Sequence, residues 1–320
     1  MLTFICLSFA ITFILLVILL KTRLADFALD QPNARSLHVR LTPRTGGLAV
    51  ILGVLVTGLI AGVSVAWLLL LLTLVAVSLV DDIRGLSVFW RLFAQLMVCG
   101  IFVFLYHQQL HYWLWLPVLL VLIWMTNLYN FMDGADGLAG GMGLFGFSAY
   151  AIAFYLNGDI LLSGFCAAIS ASCLAFLLFN FHPAKIFMGD SGSIPLGFLA
   201  GAMGLVGCVQ GYWSTWFPLL VFSPFIVDAT VTLIKRWRNG ERLSQAHKSH
   251  YYQHLVQMGW GHKKTAVLEY MLMLLGSTCA LAMLKFSDAY ILVAIVVWVF
   301  IYLLVALWID RRWQHQLLAE

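Results

Sequence analysis

Residues 127–141 read NLYNFMDGADGLAGG, and they separate two apolar runs, 112–131 and 138–156. Each run is close to the ~20 residues that an α-helix needs to cross a bilayer. Two amides, Asn127 and Asn130, and two carboxylates, Asp133 and Asp136, follow one another at three-residue steps, and the chain then passes into glycines. Residues three apart share a helix face, so Asn127, Asn130 and Asp133 line one side of a helical end. The alternation Asp133, Gly134, Asp136, Gly137 lets backbone come close to a charged ligand. Oxygen donors without His or Cys suit a hard cation such as Mg²⁺ or Mn²⁺, with Asp136 among the candidate ligands. The bland alternative is an Asx-rich cap and turn. Four polar groups at this spacing beside a membrane boundary favour the functional reading.

The whole composition agrees with a membrane setting. The chain is 62% hydrophobic and only 10% charged, with mean hydropathy +0.96, whereas soluble domains carry about 25% charged residues. The apolar runs are long and lack period-two alternation, which excludes a β-barrel and leaves an all-α integral membrane protein. The six cysteines sit inside apolar runs, without metal-like spacing. Residues 1–20 lack a basic leader before the apolar run, so they read as a retained first span.

Apolar length predicts a bundle of about 11 transmembrane helices in a single domain, 1–320. The spans fall near 2–20, 46–64, 66–80, 92–106, 112–131, 138–156, 160–181, 194–209, 213–234, 265–284 and 289–309. With that count, all 18 Lys and Arg but Lys285 fall on one side, which the positive-inside rule makes cytoplasmic. The N-terminus is then outside and the C-terminus cytoplasmic. The net charge of +4 needs no nucleic-acid partner, because this asymmetry and anionic headgroups account for it. Of the 14 acids, only Asp159 and Asp288 lie on the outer side. The active site is therefore expected from the inner segments 21–45, 81–91, 127–140, 180–195 and 235–264.

Those segments carry several further motifs. The first holds Asp30, Pro32, Asn33, Arg35, Ser36, His38 and Arg40, then Arg44, Gly46 and Gly47; arginines and a glycine pair at a membrane edge can grip phosphate, or simply flank a span. Asp81 and Asp82 repel one another unless a cation or a neighbouring arginine, Arg84 or Arg91, resolves the conflict. In NFHPAKIFMGDSGS (180–193), Asp190 opens a helix whose N-terminal amides make a natural oxyanion site, and Asp190 itself can hold a metal that bridges phosphates. Lys185 adds a cation there, and Phe187 a ring able to stack on a base. Asp228 lies inside a hydrophobic run, as a functional group or a salt-bridge partner, in a span that Pro218 and Pro224 kink. His247, His250 and His254, with Lys248, Tyr251 and Tyr252, suggest phosphate binding or proton transfer rather than zinc. Gly197 and Gly201 fit tight packing in the bundle or a homodimer.

Taken in order, PNARSLH, TPRTGG, DDIRGLS, NLYNFMDGADGLAGG, IFMGDSGS and a His-containing last inner loop resemble the polyprenyl-phosphate N-acetylhexosamine-1-phosphate transferases from about Asp30 to His254. The resemblance implies transfer of a sugar 1-phosphate from a UDP-sugar to undecaprenyl phosphate, with release of UMP and a need for Mg²⁺, at the bacterial inner membrane. It implies that Asp81 and Asp82 handle the lipid phosphate, that Asp190 is the principal Mg²⁺ ligand, and that Asn130, Asp133, Asp136 and Asn180 bind nucleotide. Phe187 is similar to the ring that packs on uracil, and His250 to the first histidine of the final motif. Pyrophosphate attack by another phosphate gathers negative charge, so a cation and basic residues matter more than a strong base. Direct displacement is expected; an aspartyl phosphate on Asp81 or Asp82 is the competitor.

One departure bears on the donor. The peptidoglycan enzymes carry consecutive histidines where this chain reads HKSHYYQH (247–254). That points to the branch starting O-antigen and lipopolysaccharide, using N-acetylfucosamine or N-acetylglucosamine 1-phosphate. A lipid-linked sugar transporter or flippase is the alternative from another class, but it would place carboxylates near the midplane rather than at one edge.

Overall fold

The computed structural model describes residues 1–22, 28–30, 37, 41–242, 245 and 247–319. Pro32, Asn33, Arg35, Ser36, His38 and Arg40 of the first inner segment lie outside the described residues. Among those described, nine helices are long and apolar enough to cross a membrane, and Gly46–Ala61 is a shorter apolar one. The α-helices in chain order, short ones included, are α1 (Leu2–Thr22), α2 (Gly46–Ala61), α3 (Val65–Arg84), α4 (Val88–Leu105), α5 (Trp115–Phe131), α6 (Leu138–Leu156), α7 (Ile160–Asn180) and α8 (Asp190–Val209). Then come α9 (Trp216–Val221), α10 (Ser223–Arg238), α11 (Tyr251–Leu255), α12 (Gly261–Met283) and α13 (Asp288–Ala319). The chain is an all-α polytopic membrane protein.

The span expected over 213–234 is not one kinked helix but two, α9 and α10. Pro224 has no N–H to return to the Leu220 carbonyl, and the Ser223 hydroxyl donates to that carbonyl instead, at 2.6 Å. The break rests on Phe222, which is fully buried against the rings of Phe147 and Tyr150. A second departure lies in the last inner segment. Residues 251–255 are helical and run through a π-turn, Val256–Trp260, into α12; a segment read as loop is an inward extension of the span.

Helices α6, α7 and α8 form the buried centre, whereas the spanning window of α13 is only 6% buried and faces the surroundings. Small residues let the centre close up. Side chains at Gly197 and Gly201 would meet Met125, Tyr129 and Leu122, so this glycine pair serves α5–α8 packing within the chain. Ser8, Thr12 and Ser172 join α1 to α7 through hydroxyl hydrogen bonds of 2.6 and 3.0 Å, satisfying polar groups away from water.

The inner end is sewn together by backbone. Phe187 N–H donates to Pro43 at 2.7 Å, and Gly46 and Gly47 donate to the carbonyls of Phe187 and Met188 at 2.9 and 2.8 Å. A Cβ on Gly47 would collide with Gly192, so the glycine pair is required where α2 and α8 begin side by side. Those N–H groups are spent on carbonyls. The expectation that the pair grips phosphate is therefore corrected: its task is close approach.

Candidate active site

Helices α3, α5 and α7 end, and α8 and α12 begin, around one polar cleft of about 310 Å³. Its walls include Asp30, Arg44, Asp82, Asn130, Asp133 and Asp190. A second hollow of about 620 Å³ runs between α4, α5 and α10, with Leu92, Leu120, Ile123 and Trp124 on its walls and Arg91, Asn127 and His250 at its head. Asn130, His247 and Gln253 belong to both. A charged compartment thus opens into an apolar groove at Asn130.

The two adjacent aspartates are resolved separately. Asp81 Oδ2 pairs with Arg91 at 2.8 Å and its Oδ1 accepts the Leu86 N–H. Asp82 accepts the backbone N–H groups of Asp190 and Ser191, at 3.2 and 3.0 Å, while Arg44 donates to the Asp82 carbonyl at 2.6 Å. The first amides of α8 are the partial positive end of its dipole. The oxyanion that occupies them is the protein's own Asp82, which corrects the expectation of a free substrate site there.

Asp190 accepts from the Asn130 amide at 2.8 Å and lies 3.4 Å from Arg91; Asn130 also donates to Ser193 at 2.9 Å. Asp133 stands in the loop between α5 and α6. Burial, then the charges of Asp190, Asp82 and Asp30, push its carboxyl well above the usual carboxylate range. Negative charge is therefore in excess on this wall, while Arg44 Nε and Arg91 Nε are buried donors without a hydrogen-bond partner among the described residues.

Asp136 is engaged otherwise. Its Oδ2 meets His182 Nδ1 at 2.6 Å and the Ala184 N–H at 3.1 Å, and its Oδ1 is 3.5 Å from His262 Nδ1. Asn180 accepts from Gly137 N–H and donates to the Ile186 carbonyl, both at 2.9 Å, so its amide braces two loops. Phe187 is a half-buried wall of the cleft. Lys185 is exposed and lines neither hollow; the structure does not bring it to the site.

His250 is buried, with Nδ1 at 3.2 Å from Asp228 Oδ1. Asp228 also accepts the N–H groups of Tyr251 and Tyr252, both at 2.9 Å. The intramembrane acid thus caps α11 and orients the His250 ring. Beside it, burial and then the neighbouring His250 and Arg236 lower the His247 imidazole to about 4. His182, His262 and Gln253 went unremarked in the sequence. The one signal was a histidine following Gly261 at the head of a span on the charged side.

The sequence profile of glycosyl transferase family 4 matches residues 64–208, which reaches from α3 to α8. A probable undecaprenyl-phosphate N-acetylglucosaminyl 1-phosphate transferase of Bacillus subtilis (strain 168) is 31% identical, over 80% of this chain and 77% of that protein. A decaprenyl-phosphate N-acetylglucosaminephosphotransferase of Mycobacterium leprae (strain TN) is 29% identical over 76% and 74%. A phospho-N-acetylmuramoyl-pentapeptide-transferase of Geobacillus kaustophilus (strain HTA426) is 30% identical over 71% and 78%.

Proposed function

The chain belongs to the polyprenyl-phosphate N-acetylhexosamine-1-phosphate transferases of glycosyl transferase family 4, and on that premise we propose that it transfers N-acetylhexosamine 1-phosphate from a UDP-sugar to undecaprenyl phosphate. The observation that carries this is the junction at Asn130, where a charged cleft suited to a nucleotide diphosphate meets an apolar groove suited to an isoprenoid. The inner-side excess of Lys and Arg supports a cytoplasmic site in a single domain, in a bacterial inner membrane.

In this reading the acceptor's phosphate reaches Arg91, whose Nε lacks a hydrogen-bond partner among the described residues, and the donor's diphosphate reaches Arg44. One oxygen of the acceptor phosphate attacks the sugar-bearing phosphorus; the bond between the two phosphates of the donor breaks, and UMP leaves with that electron pair. The acceptor dianion carries the charge it needs, so no side chain has to take a proton. Asp81 then serves by holding Arg91, Asp82 by holding the start of α8, and Asn130 by orienting Asp190. His250 at the head of the groove faces the acceptor.

The donor atoms suit Mg²⁺ or Mn²⁺. They are oxygens, and a divalent cation would counter the burial and the neighbouring carboxylates that together raise the Asp133 carboxyl. Among the described residues no three His, Cys, Asp or Glu converge as a full ligand set; Mg²⁺ commonly takes one or two carboxylates and completes its shell with phosphate and water. Asp190 with Asp133 fits that better than Asp190 with Asp136, whose oxygens face histidines. When bound, the cation would neutralise the diphosphate.

The finer reading is a simple UDP-N-acetylhexosamine donor and the start of O-antigen or lipopolysaccharide synthesis. It rests on HKSHYYQH; the relatives' names speak of N-acetylglucosaminyl and N-acetylmuramoyl-pentapeptide phosphates. Purified protein given undecaprenyl phosphate, Mg²⁺ and a panel of UDP-N-acetylhexosamines tests both levels by mass spectrometry. One donor should yield UMP and a pyrophosphate-linked lipid sugar, both lost with EDTA. A folded preparation that binds UDP-sugars but turns over none of the panel would sink the transferase reading.

A further inference from the structure

His262, the second residue of α12, joins three segments that are far apart in sequence. The backbone N–H of Asp136 donates to its Nδ1 at 3.1 Å. A backbone amide can only donate, so Nδ1 is the bare nitrogen and the proton sits on Nε2, which donates to the Leu37 carbonyl at 3.2 Å. Its ring lies parallel to that of His182, with centroids 5.4 Å apart and planes within 1°, and His182 holds the other side of the Asp136 carboxylate. Asp136, Leu37 and His262 all line the cleft.

The neighbouring bonds point the same way. Tyr270, two turns further along α12, donates to the Gly137 carbonyl at 2.7 Å, and Tyr252 donates to the Phe131 carbonyl at 3.0 Å. The loop between α5 and α6 is thus held at its start by Tyr252 and at its end by Tyr270 and His262, which bond the adjacent Gly137 and Asp136. Of these three bonds, only that of His262 falls on a residue that lines the cleft.

We infer that His262 is a positioning residue for the donor end of the cleft, fixing Asp136 against the nucleotide and tying the first inner segment at Leu37 to the same point. The inference rests on the reading that Asp136 belongs to the donor end. It requires one acceptor nitrogen and one donor nitrogen on opposite edges of a ring. His262→Phe keeps the ring and removes both; His262→Asn keeps an acceptor near the Nδ1 position.

Steady-state kinetics on the full-length protein in vesicles test this, with the UDP-N-acetylhexosamine found active in the panel and undecaprenyl phosphate varied in turn. In His262→Phe the donor KM rises about tenfold, the size expected for one lost hydrogen bond to a buried group. The acceptor KM and kcat stay within about threefold, and His262→Asn recovers much of the donor KM. Asp136→Asn is measured beside them. A raised donor KM in Asp136→Asn with none in either His262 variant overturns the positioning role and leaves the donor reading standing. An unchanged donor KM in Asp136→Asn overturns both. Equal losses in kcat and both KM values, or misfolding of His262→Phe while His262→Asn shows no donor-specific rise, make His262 merely structural and overturn the inference.

Discussion

Asp82 caps the helix that Asp190 opens: its two carboxylate oxygens accept the N–H groups of Asp190 and Ser191 at 3.2 and 3.0 Å. The carboxylate proposed to carry the metal is thereby aimed by its neighbour, and the charge of one is placed against the dipole of the other's helix. Asp82→Asn removes the charge and one acceptor. Turnover should fall by about two orders of magnitude, with a raised Mg²⁺ requirement in a titration of UMP release. Activity and Mg²⁺ dependence like those of the parent would show that the cap is not what sets Asp190.

Arg91 spans Asp81 at 2.8 Å and Asp190 at 3.4 Å. Both carboxylates meet the same nitrogen, Nη1, and the planar guanidinium holds its remaining N–H groups at fixed angles for a phosphate, whereas an ammonium carries its three donors on one freely rotating nitrogen. Arg91→Lys should therefore raise the acceptor KM with less effect on the donor KM, and Arg91→Ala should lower kcat/KM about 10²- to 10³-fold. Equal effects on both substrates in Arg91→Lys would contradict the assignment of Arg91 to the lipid phosphate.

Gly47 touches Gly192 with no room for a Cβ. Gly47→Ala should destabilise the protein by roughly 1–3 kcal/mol through forced separation of α2 and α8, seen as a lower unfolding temperature in detergent. It should also cost activity, because Arg44 and Asp190 sit on either side of that contact. A stable, active Gly47→Ala would mean the two helix starts can slide apart without harm.

His247 has its imidazole lowered to about 4 by burial and by His250 and Arg236. A histidine whose folded value lies below its unfolded value favours folding when neutral. Its contribution is full above pH 6.5 and is lost as pH falls toward 4, where the unfolded chain binds the extra proton. Unfolding temperature should decline across that window, and His247→Gln should flatten the decline. An unaltered profile in that variant would assign the decline to other groups.

Much of this was legible in the sequence because the governing patterns are local. Apolar length found most of the spans, and charge asymmetry found the end at which the polar cleft lies. Asp81, Asp82, Asn130, Asp133 and Asp190 each interrupt or close an apolar run, where an acid or amide is costly enough to be conspicuous. The errors have a different origin. That Gly46 and Gly47 donate to Phe187 and Met188, and that Asp82 fills the α8 N-terminus, are contacts between segments over 100 residues apart, and no local pattern encodes them. Lys185 looked well placed because it is five residues from Asp190, yet the turn at 181–189 carries it to the surface. His262 stood in a basic stretch that charge alone explained, and only the fold sets it against Asp136.

Acceptor-dependent release of UMP distinguishes direct transfer from a route through an aspartyl intermediate. Purified protein with Mg²⁺ and its UDP-N-acetylhexosamine should release no UMP alone, and on addition of undecaprenyl phosphate should release UMP in equal amount to the pyrophosphate-linked lipid sugar. UMP released without acceptor, together with a phosphorylated aspartate at position 81 or 82, would contradict direct transfer across the junction at Asn130.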